Sequence, residues 1–161
     1  MKTKTAMRTR FVCTSAVIAA AYVALTYLSN SLGLASGAIQ FRISEALCAL
    51  GLFTPAAIPG VSVGCFLANL LTGCAALDVI FGSLASLMGM LGAYALRKKP
   101  FVALLPYVFA NVVIVPFVLA YAYGVETAWW LLALSVGAGE IVCAYIGGLV
   151  LYFALKKRKF S

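Results

Sequence analysis

Blocks of apolar residues, each closed by a short polar or basic break, fill this chain from Phe11 to Leu155. A helix crossing about 30 Å of hydrocarbon takes roughly 20 residues at a rise of about 1.5 Å each. The stretch 11–31 is the first block of that length and carries no charge. The block 46–71 reads at first as one long span, but Pro55 and Pro59 interrupt it and Gly60 and Gly64 follow, which predicts a break. We divide it into two short helices, 46–58 and 59–72, each about 20 Å long, sunk into a bundle or paired as a re-entrant unit. Helices over 78–96, 101–121 and 128–155 complete the set, the last being the longest.

The basic residues orient these helices. Eleven of the twelve lie in three clusters, at 2–10, 97–99 and 156–159, and Lys and Arg collect on the cytoplasmic side of spanning segments because charge is costly in hydrocarbon. With the first and second clusters on the same side, an odd number of crossings must separate Glu45 from Arg97, and the proline break supplies it. The reading is an all-α integral membrane protein, a six-helix bundle over 1–161 with both termini cytoplasmic. Trp129 and Trp130 then fall at the outer interface, where indole rings favour the headgroup region. Lys2, Lys4, Arg8 and Arg10 ahead of an apolar run imitate a signal peptide, but the run is long and no clean cleavage site follows, so we read it as the first transmembrane helix.

Composition agrees and narrows the classes. The chain is 65% hydrophobic and 10% charged, with mean hydropathy +1.08, whereas a soluble domain carries about 25% charged residues. A net charge of +8 in runs that flank apolar segments marks membrane orientation, not nucleic-acid binding. The five cysteines show no Cys-x-x-Cys spacing and read as small packing residues. No histidine is present, which removes His-based metal sites and catalytic dyads and weighs against an enzyme. No phosphate-binding Gly-x-x-x-x-Gly-Lys motif occurs either, so ATP-driven work would fall to a partner.

Four acids remain, Glu45, Asp78, Glu126 and Glu140. By this topology three lie at external helix ends and Glu140 lies about 18 Å down the last helix, where a carboxylate must be paired, protonated or turned to a polar cavity. Glu140, Ala144 and Gly148 share a small-residue stripe that faces the bundle. Glu140 is therefore a ligand contact or a hydrogen-bonded strut between helices. Asp78 opens its helix and is either a favourable charge at the dipole's positive end or a ligand contact.

Arg42 stands outside the clusters, on the outer side. It either pairs with Glu45 beside an N-cap at Ser44 or offers its planar fork of donors to a ligand. Asn69 and Asn111 are amides in apolar helices, fitted to helix–helix hydrogen bonds or to a ligand. Ala16, Ala20 and Ala24 make a smooth strip on the first helix for close approach by a helix of this chain or of another.

Gln40-Phe41-Arg42-Ile43-Ser44-Glu45-Ala46-Leu47, the break at Pro59-Gly60, and Leu77-Asp78-Val79-Ile80-Phe81-Gly82-Ser83-Leu84-Ala85 together resemble the QueT family of queuosine-precursor transporters. That resemblance implies the substrate-binding S component of an energy-coupling factor (ECF) transporter in a bacterial cytoplasmic membrane. Such a six-helix protein works with a transmembrane coupling subunit and two ATPases and needs no cofactor of its own. It further implies that Ala16, Ala20 and Ala24 meet the coupling subunit, and that the substrate sits near the outer face. The implied ligand is a 7-deazaguanine such as preQ0 or preQ1. Glu140 would accept the guanine-edge N–H donors, Asp78 or Glu45 would take the preQ1 amine, Arg42 and Asn111 would join the pocket, and Trp130 or Tyr121 would stack on the ring. Two alternatives stand beside this: an S component for another vitamin or nucleobase, and a proton-coupled carrier in which Glu140 titrates.

Overall fold

The computed structural model of the chain describes residues 4–34 and 41–159; Lys2 and Gln40 lie outside the described residues. Helix α1 (Lys4–Ser31) is followed by a 3₁₀ helix (Ile43–Leu52), α2 (Ala57–Leu71) and α3 (Ala76–Ala95). A single turn, α4 (Pro100–Ala103), leads into α5 (Leu105–Ala122). The last pass is continuous from α6 (Trp129–Glu140) through a π-helical stretch (Ile141–Gly147) into α7 (Gly148–Lys159).

Side-chain contacts fix how these elements run. Ser15 Oγ donates to the Ala56 carbonyl at 2.9 Å and Tyr27 Oη to the Leu71 carbonyl at 3.0 Å, so α1 and α2 are parallel. The 3₁₀ helix returns between them, starting where Thr26 Oγ1 donates to Ser44 Oγ at 2.9 Å. Asn69 and Asp78 meet across the α2–α3 turn, and Gly92 packs on Pro106 at the far end of α3. The described chain therefore makes six alternating passes, with Lys4, Arg8, Arg10, Arg97, Lys98, Lys99, Lys156 and Lys157 at one end of the bundle and Arg42, Asp78 and Tyr123 towards the other.

Four of the passes are long and apolar enough to cross a membrane: Lys4–Ser31, Ala76–Ala95, Pro100–Ala122 and Trp129–Lys157. Ile43–Leu52 and Ala57–Leu71 are shorter and also apolar. The outside is as hydrophobic as the inside, with Val17, Phe66, Leu70, Phe109 and Leu134 all exposed, as lipid contact requires and water does not tolerate over so wide an area. This is a multi-pass helical membrane protein.

The break in the second block lies at Phe53–Ala56, upstream of the expected division between 58 and 59. The amides of Phe53 and Thr54 both turn back to the Leu50 carbonyl, and Pro55 follows. Pro59 falls instead in the first turn of α2, where its missing N–H would have had no helical partner in any case. Ten residues of 3₁₀ helix are an unusually long run; at about 2.0 Å per residue they cover about 20 Å, where an α-helix would cover about 15 Å.

Two glycines set the helix spacing around the core. A Cβ on Gly64 would lie 2.7 Å from Tyr22 Cβ, and one on Gly89 would lie 2.6 Å from Tyr107 Cα. Bare backbone at these points lets α1 close on α2 and α5 close on α3. Tyr22 and Tyr107 are thereby drawn into the core with Cys48, Val61, Cys65, Met90 and Leu104.

Candidate ligand chamber

Tyr22 and Tyr107 are fully buried, and each phenolic O–H needs an acceptor there. Both find Glu45. Tyr22 donates to Oε1 at 2.8 Å, and Tyr107 donates to Oε2 at 2.5 Å while also lying 3.3 Å from Ser86 Oγ. The 3₁₀ helix has carried Glu45 inward, so this acid is a buried carboxyl gripped on both oxygens. The expected local pair of Arg42 with Glu45 does not form, and Ser44 meets Thr26 instead of capping the helix.

Arg42 turns to more distant partners. Its Nη1 donates to Asn69 Oδ1 at 3.1 Å, and Nη2 stands 3.9 Å from Asp78 Oδ2. Asn69 Nδ2 donates in turn to the Asp78 carbonyl at 3.2 Å, which closes a ring through the start of the 3₁₀ helix, α2 and α3. Gly82, one turn along α3, leaves the space that Asn69 Nδ2 and Asp78 Oδ1 occupy: a Cβ there would lie 3.1 and 3.2 Å from them. From the end of α5, Tyr123 Oη donates to Asp78 Oδ2 at 3.0 Å and accepts from the Ala75 amide at 3.1 Å. Burial pushes the Tyr123 phenol above its ordinary pKa, against the lowering by the Ala75 amide, so the hydroxyl keeps the proton it gives to Asp78.

Glu140 ends α6 and is 8% exposed. Its Oε2 is buried and is the one side-chain polar atom of that kind without a hydrogen-bond partner among the described residues. An unmatched carboxyl oxygen inside a membrane bundle is costly. Asn111, opposite on α5, gives its amide to the Tyr107 carbonyl at 3.3 Å.

These side chains converge on one partly enclosed cavity of about 30 Å³, lined by Arg42, Glu45, Asp78, Asn111 and Glu140 together with Cys65, Gly82, Ser86, Gly139 and Cys143. Three carboxyl groups face one guanidinium. Each acid stands in a different state: Glu45 is saturated by tyrosines, Asp78 is shared between Arg42 and Tyr123, and Glu140 has an oxygen to spare. Such a set accepts hydrogen bonds, and it favours a ligand rich in N–H donors or bearing a cation.

Five of the six residues expected to touch a ligand thus share a chamber. Trp130 does not: it is 59% exposed on the outside of the bundle and lines no part of this cavity. Tyr121 is likewise exposed, as is Glu126. Tyr22, Tyr107 and Tyr123 escaped the sequence reading, although a tyrosine within an apolar helix, as at Tyr22 and Tyr107, signals a buried acceptor nearby.

A multi-pass helical bundle with an acid-rich chamber in its interior defines a membrane protein built around a small polar site. Its family follows from comparison: the model of the QueT transporter family matches residues 12–157, and the chain belongs to that family. A protein of Lactococcus lactis subsp. cremoris (strain MG1363) described as queuosine precursor transporter QueT is 37% identical over 81 residues, which is 50% of this chain and 47% of that protein. The chain thus spans about half the length of the curated relative it matches. No solved structure matches it.

Proposed function

We propose that this chain is the substrate-binding S component of an ECF transporter, taking up a queuosine-precursor 7-deazaguanine for ATP-driven import in a bacterial cytoplasmic membrane. The observation that carries the reading is the orphaned Oε2 of Glu140 inside a chamber of acceptors. A guanine edge presents adjacent N–H donors that one carboxylate accepts together, and the charge-assisted pair is the strong kind of hydrogen bond. Family membership and the relative's description support the substrate class.

The three acids divide the ligand between them. Glu140 takes the guanine edge. Asp78, whose contact to Arg42 is too long for a hydrogen bond, takes the aminomethyl cation of preQ1. Glu45 already holds two phenols and shapes the floor. All six passes cross the membrane, with both termini and the basic clusters cytoplasmic and the chamber reached from outside; clustering at one end of the bundle supports this. Ala16, Ala20 and Ala24 are all exposed along α1, which leaves the strip free for the coupling subunit, and two partner ATPases supply the work.

Titration of the purified protein with preQ0, preQ1, queuine and guanine, beside Glu140→Gln, tests the reading. Micromolar or tighter binding of a 7-deazaguanine with at least a tenfold loss in Glu140→Gln is expected. Binding of none of them overturns the substrate, and unchanged affinity in the variant overturns the role of Glu140. The same orphaned carboxyl would suit a proton-coupled carrier; uptake that survives loss of the ATPases and collapses with the proton gradient would replace the first reading by that one.

A further inference from the structure

The chamber has a neighbour. Thr26, Asn30, Thr72, Cys74 and Tyr123 line a second, more open cavity of about 290 Å³, and Arg42 and Asp78 line both. The two differ tenfold in size. The inner one, at about 30 Å³, has room for about two or three water molecules, whereas small-molecule sites run from roughly 300 Å³ upward. In this conformation the inner cavity is too small for a bicyclic base, while the outer one is close to the lower end of that range.

Passage between them must therefore part Arg42 from Asp78, and the Asp78 carboxylate is held in place from the outer side by Tyr123. Arg42 is tied to Asn69 at 3.1 Å, and Asp78 is fixed in the first turn of α3 with its carbonyl bonded to Asn69. Tyr123 stands beyond the last turn of α5, beside Gly124 at φ +61°, lines the outer cavity only, and holds Asp78 and the Ala75 amide through its hydroxyl, next to Cys74. Its ring is 44% exposed.

We propose that the outer cavity is a first binding station for an amine-bearing planar ligand, and that the Tyr123 hydroxyl on Asp78 is the latch between it and the inner chamber. Asp78 presents its carboxylate to both spaces, so an ammonium group arriving in the outer cavity replaces the Tyr123 hydroxyl as its partner. The latch then swings away, and the base moves inward to Glu140 while its amine stays on Asp78. The identity of the ligand rests on the function proposed above; the latch itself does not.

Native cysteines report on each space without any ligand. Cys74 lines the outer cavity and Cys65 the inner, while Cys48 is buried in the core. The full chain in lipid nanodiscs is treated with 2-aminoethyl methanethiosulfonate, and each thiol is followed by mass spectrometry in wild type, Tyr123→Phe and Tyr123→Ala. Comparing one thiol between variants cancels its intrinsic reactivity. Cys65 is expected to react at least three times faster in Tyr123→Phe and faster still in Tyr123→Ala, with Cys48 unmodified as the mark of an intact fold. A Cys65 rate unchanged in whichever variant leaves Cys48 unmodified overturns the latch. Saturating preQ1 should protect Cys65; acceleration by the variants without protection by preQ1 keeps the latch and sinks the ligand.

Discussion

Tyr107 Oη lies 2.5 Å from Oε2 of Glu45, a bond made across the bundle from α5 to the 3₁₀ helix. With Tyr22 on the other oxygen at 2.8 Å, it turns a buried acid from a liability into a joint between three passes of the chain.

Removing either phenol should loosen that joint. Bonds to charged groups contribute about 1.5–3 kcal/mol in water-soluble proteins, and measured values for polar contacts within membranes run lower, up to about 1.7 kcal/mol. We expect Tyr107→Phe and Tyr22→Phe each to destabilise the protein by about 1–2 kcal/mol in thermal unfolding in detergent. Because both act through one carboxyl group, the double variant should depart from additivity by at least about 0.5 kcal/mol; strict additivity would argue that the two bonds are independent.

Asp78→Asn should separate ligands by charge. The amide keeps an acceptor for Tyr123 and loses the negative charge, so affinity for amine-bearing preQ1 should fall at least tenfold, about 1.4 kcal/mol, and affinity for the neutral nitrile preQ0 no more than threefold. Calorimetric titration of both ligands reads the difference. Equal losses would remove the amine from Asp78.

Glu140→Leu should trade function for stability. The orphaned Oε2 costs the empty protein free energy, on the order of 1–3 kcal/mol for an unsatisfied buried polar group, and an apolar side chain removes that cost. A raised melting temperature together with lost ligand binding is the expected pair of results. A lowered melting temperature would mean that the interaction of the Glu140 carboxyl with the Asn111 side chain outweighs the cost of the orphaned oxygen.

Ala20→Trp probes the strip on α1. Ala16, Ala20 and Ala24 are exposed, so a large side chain meets nothing within the chain and should leave melting temperature and ligand affinity within error. Co-purification with the coupling subunit and cellular uptake should drop severalfold. Unimpaired uptake would move the partner surface elsewhere.

How far the sequence carried is clearest at particular residues. Parity between the basic clusters required an extra turn of the chain before Asp78, and Pro55 marks where it comes. Pro59 misled because a proline ends a helix only when it stands inside one, and this one stands in a first turn. The convergence of Arg42, Glu45, Asp78, Asn111 and Glu140 follows from polar groups avoiding lipid. Their pairing does not: Arg42 chooses Asn69 and Asp78 over nearby Glu45 because the 3₁₀ winding swings Glu45 to the tyrosines, and that winding leaves no trace in an apolar run. Nor does the π-helical stretch after Glu140, whose residues are as apolar as those of any α-helix.

Tyr22 and Ala20 are two positions apart on α1, about 200° around the helix at 3.6 residues per turn, one gripping Glu45 and the other bare on the outer surface. The depth of a single helix, about 10–12 Å, is all that separates the floor of the chamber from the strip of alanines. α1 is one unbroken rod from Lys4 to Ser31, so whatever tilts it by its inner face must reposition the outer face in the same motion.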